Sequence, residues 1–306
     1  MDPPDEYAKS SSAPGSLYVS PVHLGKHYLR AQQPSTPPPL RRPRSTVGYN
    51  GVQRQSSKGA SMDLNLWARE RRPRVGTLLT TDNPTIIEVA RLAAWDWLWI
   101  DAEHGQFNEN SAAVACGLCA GGPAVFVRLP DFSPTAIKRY LEIGADAIIL
   151  PAVSTPEDVN AIAEAALYPP RGRRSVGIAR AQGYGSTFQD YLEKKSYSIV
   201  VQIETVAGVR NAREIIAHDA VDAVLLGPYD LSGSFGIPGQ IDAPQVAEAI
   251  ANVRRLCSTA GKPCGIFAAT AEKARPYAAE GFDLIAVGVD SSILLNAYKQ
   301  LRQSLI

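Results

Sequence analysis

The chain has 306 residues and carries 31 lysines and arginines against 30 acidic residues, so its formal net charge at pH 7 is only +1. This balance gives no reason to expect binding to nucleic acid, which favours strongly basic surfaces. No apolar run reaches the roughly 18 residues that a transmembrane helix needs, so we expect no membrane span. A small molecule is the expected partner.

Cysteine usage indicates a reducing compartment. Four cysteines in a chain of this length do not indicate a disulfide scaffold, so we expect a cytoplasmic protein. Cys116 and Cys119 form a C-x-x-C pair, a spacing that also occurs in metal and redox sites. Their segment has a helical pattern, ends in glycines and has no second Cys or His pair nearby, so we interpret it as an ordinary helix.

The first 61 residues differ in composition from the rest, because they hold nine of the 23 prolines and ten serines without apolar periodicity. Such a segment cannot bury enough apolar surface to offset its ordering entropy, so we expect a disordered leader over residues 1–61. It lacks the apolar core of a signal peptide, and Asp2, Asp5 and Glu6 are atypical of a transit peptide. Met62 is an alternative start.

Residues 62–306 alternate short apolar runs with longer segments of helical period, which is the pattern of βα units. The predicted strands are 75–79, 97–101, 124–128, 146–150, 198–202, 222–226, 263–267 and 283–287. The predicted helix boundaries are Asn83, Ser133, Thr155 and Thr270 at the starts and Gly144, Gly261 and Gly281 at the ends. Eight such strands in about 250 residues predict a single (β/α)8 TIM barrel.

Isolated polar residues stand where the predicted strands end. They are Asp101, Glu103 and His104 after the second strand, Arg128 at the end of the third, Glu204 at the end of the fifth and Asp230 after the sixth. Active sites of this architecture gather at the carboxyl ends of the strands, so we expect these side chains to share one site. The opposite ends hold Asp146, Ser198 and Asp222, which we interpret as ordinary solvated or capping residues.

The residue types in this predicted site indicate metal-assisted chemistry. Glu204 and Asp230 offer hard oxygen ligands, which favours Mg²⁺ or Mn²⁺ with waters left on the ion, and Co²⁺ is a third candidate. Arg128 presents a fork of donors for a substrate carboxylate, and His104 can move a proton near neutral pH. No lysine ends a strand at this site, so a Schiff-base route is not expected.

The glycine-rich segment after the sixth strand adds predicted substrate contacts from Gly227, Pro228 and Tyr229. Its glycines let backbone amides approach a bound oxyanion. A 2-oxo acid held by the ion and by Arg128 would have a polarised keto group. The combination therefore indicates a reaction in which an enolate forms as a C–C or C–H bond breaks.

Each of these residues also has a structural interpretation. Glu204 could cap the loop after its strand, Asp230 could be a helix N-cap, and Arg128 could pair with Glu204. Glu103 could orient metal-bound waters or His104, and Asp101 could only fix the loop. Trp97 and Trp99 fit ordinary core packing. We favour the site interpretation because the polar residues occur together at strand ends.

Several motifs in order resemble the HpcH/HpaI aldolase family of metal-dependent, class II pyruvate aldolases. They are WLWIDAEHG, VFVRLP, GADAIILPAV, YPPRGRRSVG, VVQIET, LLGPYDLSGSFGIPGQ and GFDLIAVGVDSS, and the resemblance covers essentially Leu64 to the C-terminus. The resemblance implies a TIM barrel of the phosphoenolpyruvate/pyruvate-binding type. It also implies reversible cleavage of a 4-hydroxy-2-oxo acid to pyruvate and an aldehyde through a metal-stabilised enolate.

The resemblance also implies roles for single residues. They are Glu204 and Asp230 as metal ligands, Arg128 as the pyruvate-binding residue, His104 as the acid/base residue and Gln202 as a residue lining the site. Glu142 stands where better-known members have an aspartate that partners the catalytic histidine, so we expect Glu142 to act with His104. This exchange, and Ser175 where a glycine is common, are departures from the family pattern.

The family usually assembles as hexamers that exchange their last helices, so the resemblance implies a homo-oligomer, a trimer or hexamer. The last segment is amphipathic, with Ile293, Leu294, Ala297 and Leu301 on one stripe. Packing on its own barrel is the alternative.

Other functions remain open on the same scaffold. A 2-oxo acid decarboxylase acting on oxaloacetate or a CoA-ester lyase would share the enolate step, and a non-catalytic barrel is a further alternative. The sequence does not reveal which aldehyde is accepted.

Overall fold

The computed structural model describes Leu64, Trp67, Glu70 and residues 72–306. The predicted leader over residues 1–61 and the alternative start at Met62 lie outside the described residues. The domain boundary near Met62 therefore stays a prediction.

Eight parallel strands close into a barrel in chain order. They are β1 (Arg74–Leu79), β2 (Trp97–Asp101), β3 (Ala124–Arg128), β4 (Ala147–Leu150), β5 (Ser198–Ile203), β6 (Ala223–Leu226), β7 (Cys264–Ala268) and β8 (Leu284–Val289). The cylinder closes where β1 pairs with β8, Gly76 lying opposite Ala286. The predicted TIM barrel is confirmed, with strand ends that shift by at most two residues.

Helices connect successive strands. They are α1 (Pro84–Leu92), α2 (Glu109–Leu118), α3 (Pro134–Glu142), α4 (Pro156–Ala166), α5 (Phe188–Glu193), α6 (Val206–Arg210), α7 (Ala212–Ala217), α8 (Pro228–Ser234), α9 (Pro244–Ala260), α10 (Ala271–Glu280) and α11 (Asp290–Gln303), with a 3-10 turn at Arg180–Gly185. None of the helices in the described part of the chain has both the length and the apolarity that crossing a bilayer requires.

The predicted helix boundaries are confirmed by hydrogen bonds. The four predicted N-cap side chains each accept a backbone N–H two or three residues further on, as the cap of α1 does from Thr85. Gly261 and Gly281 end α9 and α10 in the left-handed conformation, with φ of 67° and 85°. Side chains other than glycine are strained there, which explains where these helices stop.

The C-x-x-C pair belongs to a helix, as predicted. Cys116 lies in α2, Cys119 follows its last residue, and both are buried. Burial raises the pKa of Cys116 to about 12 and that of Cys119 to about 11. Both groups are therefore protonated thiols at neutral pH, which neither bind metal well nor react readily.

Large aromatic rings from β2 and β3 fill the inside of the barrel. Trp97 lies 4.8 Å from Phe126 and 6.4 Å from Trp99 between ring centroids, and all three are almost fully buried. A Cβ at Gly76 would lie 2.6 Å from the Trp97 ring, so β1 has to present a glycine there. The rings form a solid floor beneath the carboxyl end of the barrel.

Four aspartates join neighbouring strands at the amino end of the barrel. Each stands directly before an even-numbered strand and accepts a backbone N–H from the preceding odd-numbered strand. The pairs are Asp96 with Val75 (3.0 Å), Asp146 with Val125 (2.8 Å), Asp222 with Ile199 (2.6 Å) and Asp283 with Cys264 (2.9 Å). In each pair the N–H of the aspartate donates to the carbonyl of the same partner residue.

These aspartates differ from the ordinary solvated or capping residues that the sequence indicated for Asp146 and Asp222. Asp146 and Asp283 are half-buried, and burial raises the pKa of both carboxyl groups. The desolvation is tolerated because each carboxylate satisfies a backbone donor at the start of a neighbouring strand. Each of the four residues thus bonds two neighbouring strands at the base of the barrel, an arrangement that we call an aspartate clasp.

Replacing Asp146 with alanine should lower the free energy of unfolding by about 1–3 kcal/mol, because the Val125 N–H loses its acceptor inside the protein. Asp146→Asn keeps one acceptor oxygen and should cost less. Asp190→Ala, at a side chain that is 73% exposed, is the control and should change little. Urea unfolding followed by circular dichroism measures all three. Equal midpoints for Asp146→Ala and the control would contradict the proposed clasp.

Candidate active site

A buried ion pair joins the carboxyl ends of β2 and β3. Asp101 and Arg128 are register partners across the two strands. The Oδ1 and Oδ2 atoms of Asp101 accept hydrogen bonds from Nε and Nη2 of Arg128 at 2.9 and 2.7 Å. Asp101 is 1% exposed and Arg128 5% exposed, so this bidentate pair holds both side chains rigidly in a dry environment.

Arg128 has few donors left for a substrate. Its Nη1 lies 2.9 Å from Oε2 of Glu103, and its guanidinium carbon lies 5.0 Å from the Trp99 ring centroid. Of the five N–H groups of an arginine, two donate to Asp101, and the contact with Glu103 is an ion pair without hydrogen-bond geometry. The free fork that the sequence predicted is therefore already occupied on one edge, and the N–H groups of the other edge remain.

The loop after β2 carries His104 to the rim of the barrel. Oδ1 of Asp101 accepts the backbone N–H groups of Glu103 at 3.1 Å and His104 at 3.3 Å. The His104 side chain is 67% exposed, with Nε2 at 3.7 Å from Oε2 of Glu103. The imidazole is therefore open to an incoming molecule while its backbone is held from below.

Glu204 is buried at the end of β5 with both oxygens occupied. Oε1 accepts the Ala152 N–H at 2.8 Å, and Oε2 accepts a short hydrogen bond from the Gln202 amide. Ala152 has a φ of +53°, a left-handed conformation that costs an alanine about 1–2 kcal/mol. This turn of the chain after β4 aims the Ala152 N–H at Glu204.

Burial raises the pKa of Glu204 to about 7. The Ala152 N–H lowers this pKa and the negative charge of Asp230 raises it. Of the two smaller effects, Arg128 lowers the pKa and Glu103 raises it. Burial likewise raises the pKa of Glu103, against the attraction of Arg128 and His104. The mouth of the barrel thus holds more negative charge than its one arginine balances.

Asp230 lies in the first turn of α8 and is exposed beside this cluster. Its charge acts on both Glu204 and Glu103, so the structure brings the two predicted metal ligands into one site. Among the described residues there is no group of three or more His, Cys, Asp or Glu side chains placed to hold a metal. A cation here would need oxygens from water or substrate beyond the two carboxylates.

The side chains packed around Glu204 offer oxygen donors of the kind that a small hard cation takes. A Cβ at Gly227 would lie 2.5 Å from Oε2 of Glu204 and 3.0 Å from Nε2 of Gln202, so only glycine leaves the carboxylate in place. Oε1 of Gln202 is buried and has no hydrogen-bond partner. A hard oxygen donor set with an unsatisfied acceptor beside it suits Mg²⁺ or Mn²⁺.

The loop after β6 contributes an aromatic wall. Tyr229 is 43% exposed and its ring lies 6.2 Å from Phe267, which in turn lies 6.5 Å from Trp99. The sequence predicted that glycine amides of this segment bind an oxyanion. Two of them are already hydrogen-bonded, because Gly239 N–H donates to the Ser232 hydroxyl and Gly236 N–H donates to a carbonyl. The glycines there mainly shape the loop.

Glu142 does not reach His104 within one chain. It is the last residue of α3, which starts at the carboxyl end of the barrel and runs about 13 Å back toward the other end. It lines a cavity on the flank of the barrel with Glu109, Arg139 and Arg180. Among the described residues of one chain no hydrogen bond or ion pair joins Glu142 to His104, and their expected partnership stays a prediction.

Sequence reasoning found only some of the partners that position the site. It offered Asp101 as a residue that fixes the loop, and the structure shows that Asp101 holds the His104 loop and also orients Arg128. Ala152 acts through its backbone, and an alanine gives no chemical signal in a sequence. Phe267 could have been noticed as an aromatic residue near the end of β7.

Comparison with known proteins agrees with these observations. A family model described as HpcH/HpaI aldolase/citrate lyase matches residues 74–297. A hydroxypyruvate/pyruvate aldolase of Deinococcus radiodurans is 38% identical over 238 residues, which cover 76% of this chain and 86% of that protein. A 5-keto-4-deoxy-D-glucarate aldolase of Shigella dysenteriae is 35% identical over 231 residues, 74% of this chain and 90% of that protein.

A solved structure extends the similarity to three dimensions. A HpcH/HpaI aldolase/citrate lyase family protein from Burkholderia cenocepacia superposes with a TM-score of 0.76 at 32% identity, covering 79% of this chain and 98% of that one. The match includes the whole barrel that carries Asp101, Arg128 and Glu204. The resemblance seen in the motifs is thus confirmed: the chain belongs to the HpcH/HpaI aldolase/citrate lyase family and is a carbon–carbon lyase.

Proposed function

We propose that the protein reversibly cleaves a 4-hydroxy-2-oxo acid to pyruvate and an aldehyde. The observation that carries this proposal is the fixed Asp101–Arg128 pair beside buried Glu204, with the imidazole of His104 open at the rim. The guanidinium of Arg128 and the buried carboxylate of Glu204 lie in the site, and the titratable imidazole of His104 lies at its rim. The names of the two aldolase relatives support the same reaction class.

Glu204 and Asp230 would hold a divalent cation, Mg²⁺ or Mn²⁺, with Co²⁺ as a third candidate. The carboxyl groups of Glu103, Glu204 and Asp230 beside a single arginine favour a cation, and the buried, unpartnered Oε1 of Gln202 offers a further oxygen next to Glu204. When bound, the cation supplies positive charge against which an enolate oxygen can develop.

Arg128 would bind an oxygen of the 2-oxo acid through N–H groups that do not donate to Asp101. Because Asp101 and Glu103 already fix the guanidinium, it needs no reorientation when negative charge appears on the substrate. The aromatic floor beneath it excludes water from that side.

His104 would carry the proton. Its neutral ring removes the proton of the 4-hydroxyl group, the C3–C4 bond breaks, and the electron pair of that bond becomes the enolate of pyruvate as the aldehyde leaves. Protonation at C3 then gives pyruvate. Glu103, 3.7 Å from Nε2, stabilises the ring while it is charged.

Removing His104 and removing Glu204 should have different effects. His104→Ala should lower turnover by about 10²- to 10⁴-fold with little change in metal affinity, because only the proton carrier is lost. Glu204→Ala should abolish activity and metal binding together. A coupled assay for pyruvate across 4-hydroxy-2-oxo acids, with EDTA and with each metal restored, measures both, beside isothermal titration with Mn²⁺. His218→Ala, the other described histidine, is the control and should keep full activity.

Two outcomes would contradict this scheme. Full aldol cleavage by Glu204→Ala in EDTA would remove Glu204 from the reaction. Release of pyruvate from oxaloacetate but from none of the hydroxy-oxo acids would favour the decarboxylase instead.

The pKa of Glu204 predicts a pH-dependent stability of the metal-free protein. A carboxyl group raised from 4.5 to about 7 in the folded state stabilises the fold fully below pH 4.5 and loses that contribution as the pH rises through 7. In EDTA, wild type should therefore lose about 2 kcal/mol relative to Glu204→Gln between about pH 5.5 and 8.5. Urea unfolding of both proteins measures this. A difference that is constant with pH would refute the raised pKa.

We also propose that the protein is a homo-oligomer, a trimer or hexamer, assembled through α11. No side chain of this helix is buried, and its apolar stripe includes Leu294 and Leu301 at 42% and 64% exposure. A helix with an uncovered apolar stripe is stabilised when a second copy covers it.

The four cysteines are all free and buried, which supports the expected cytoplasmic location.

Two aspartates on the apolar stripe should disrupt the assembly. Leu294→Asp with Leu301→Asp places charges where a neighbouring subunit would pack, so the oligomer should dissociate. Asn296→Asp with Gln303→Asp adds the same charge to the opposite face and should leave the mass unchanged. Light scattering after size-exclusion chromatography measures the mass. A doubly substituted stripe that assembles like wild type would exclude this helix from the interface.

A further inference from the structure

Asp290 bonds the start of α11 to the residues after β1. Its Oδ1 accepts the Thr80 N–H at 3.0 Å and the Thr80 hydroxyl at 2.8 Å, and its Oδ2 accepts the Thr81 N–H at 3.0 Å. Oδ1 also accepts the Ser291 N–H of its own helix at 2.8 Å. One carboxylate thus satisfies four donors from two segments at the carboxyl end of the barrel.

The strand ladder does not hold the end of β1 in this way. The register between β1 and β8 shifts after Gly76, the last pair is Leu78 with Val289, and Gly288 beside it has a φ of +71°. Beyond Leu78 the β1 chain pairs no further with β8. The Asp290 carboxylate takes the place of the missing backbone pairs.

Thr80 in turn supports the loop of His104. The carbonyl of Thr80 accepts the Gln106 N–H at 2.8 Å. A Cβ at Gly105 would lie 3.1 Å from both Cα and O of Thr80, so the two backbones are in direct contact. The loop therefore has two supports, the Asp101 carboxylate on one side of His104 and Thr80 on the other.

We propose that Asp290 is a positioning residue for His104, acting through Thr80. The proposal rests on the proposed function for its catalytic consequence. Asp290 fixes Thr80, Thr80 fixes Gly105 and Gln106, and these set where the neighbouring imidazole stands. A displacement of about 1 Å of a catalytic group is enough to lower turnover by about 10²-fold.

The test compares Asp290→Ala and Asp290→Asn with Asp131→Ala. Asp131 is an exposed aspartate of the loop after β3, where its carboxylate accepts the Ser133 N–H at 2.7 Å, so it matches Asp290 in chemistry but not in contact with the His104 loop. Asp290→Ala should lower kcat about 10- to 100-fold, with KM and Mn²⁺ affinity changed less than about threefold. Asp290→Asn keeps one acceptor oxygen and should recover part of the loss. The control should match wild type.

Two further measurements separate positioning from general damage. In a His104→Ala background, Asp290→Ala should cause no further loss of kcat, because the residue it positions is already absent. Hydrogen exchange should rise in the peptide over residues 101–107, which contains the Gln106 amide, in Asp290→Ala but not in the control. This second readout requires no activity.

The outcomes are distinct. Unchanged exchange of residues 101–107 together with kcat within twofold of wild type overturns the proposal, as does an equal further loss in the His104→Ala background. Faster exchange in a protein whose wild type cleaves none of the substrates keeps the support role of Asp290 and refutes the proposed function. If Asp290→Ala does not fold, Asp290→Asn is measured in the same way.

Discussion

The bidentate bond between Asp101 and Arg128 is the interaction on which the rest of the site depends. A buried ion pair persists only where its remaining polar atoms are satisfied, and here the same carboxylate also accepts the amides of Glu103 and His104. The guanidinium rests on the Trp99 ring. One interaction therefore sets the spacing of two strand ends, the direction of Arg128 and the base of the loop that carries the imidazole.

The charge balance of the site follows from that bond. With Arg128 neutralised by Asp101, the carboxyl groups of Glu103, Glu204 and Asp230 repel one another without a full counter-charge, and burial adds to the pKa of the first two. A cluster of this sign favours protons or a cation, and the proposed ligand atoms are all oxygen. The burial that raises the pKa of Glu204 therefore also favours positive charge beside it.

Much of this arrangement could be predicted from the sequence, because polar residues such as Arg128 and Glu204 interrupt strongly apolar strands at the end where barrel enzymes bind substrates. The contacts between these residues could not be predicted from the sequence. The pairing of Asp101 with Arg128 requires the register of two strands 27 residues apart, and Ala152 acts through a backbone angle. For Glu142 a position counted along a motif does not tell which end of a helix faces the site, and its role stays a prediction.

The four aspartates at the base of the barrel divide its strands into four pairs. In each pair one aspartate carboxylate bonds the two strands in the same way. Three of the four junctions gain a second bond, from the first residue of the next strand to the carbonyl of Asp96, Asp146 or Asp283. At the fourth junction, after Asp222, the chain has Pro263, which carries no N–H to donate. The junction between β6 and β7 thus has one hydrogen bond fewer than the other three junctions. The four strand pairs share one arrangement, but neighbouring pairs are not all joined by the same number of bonds.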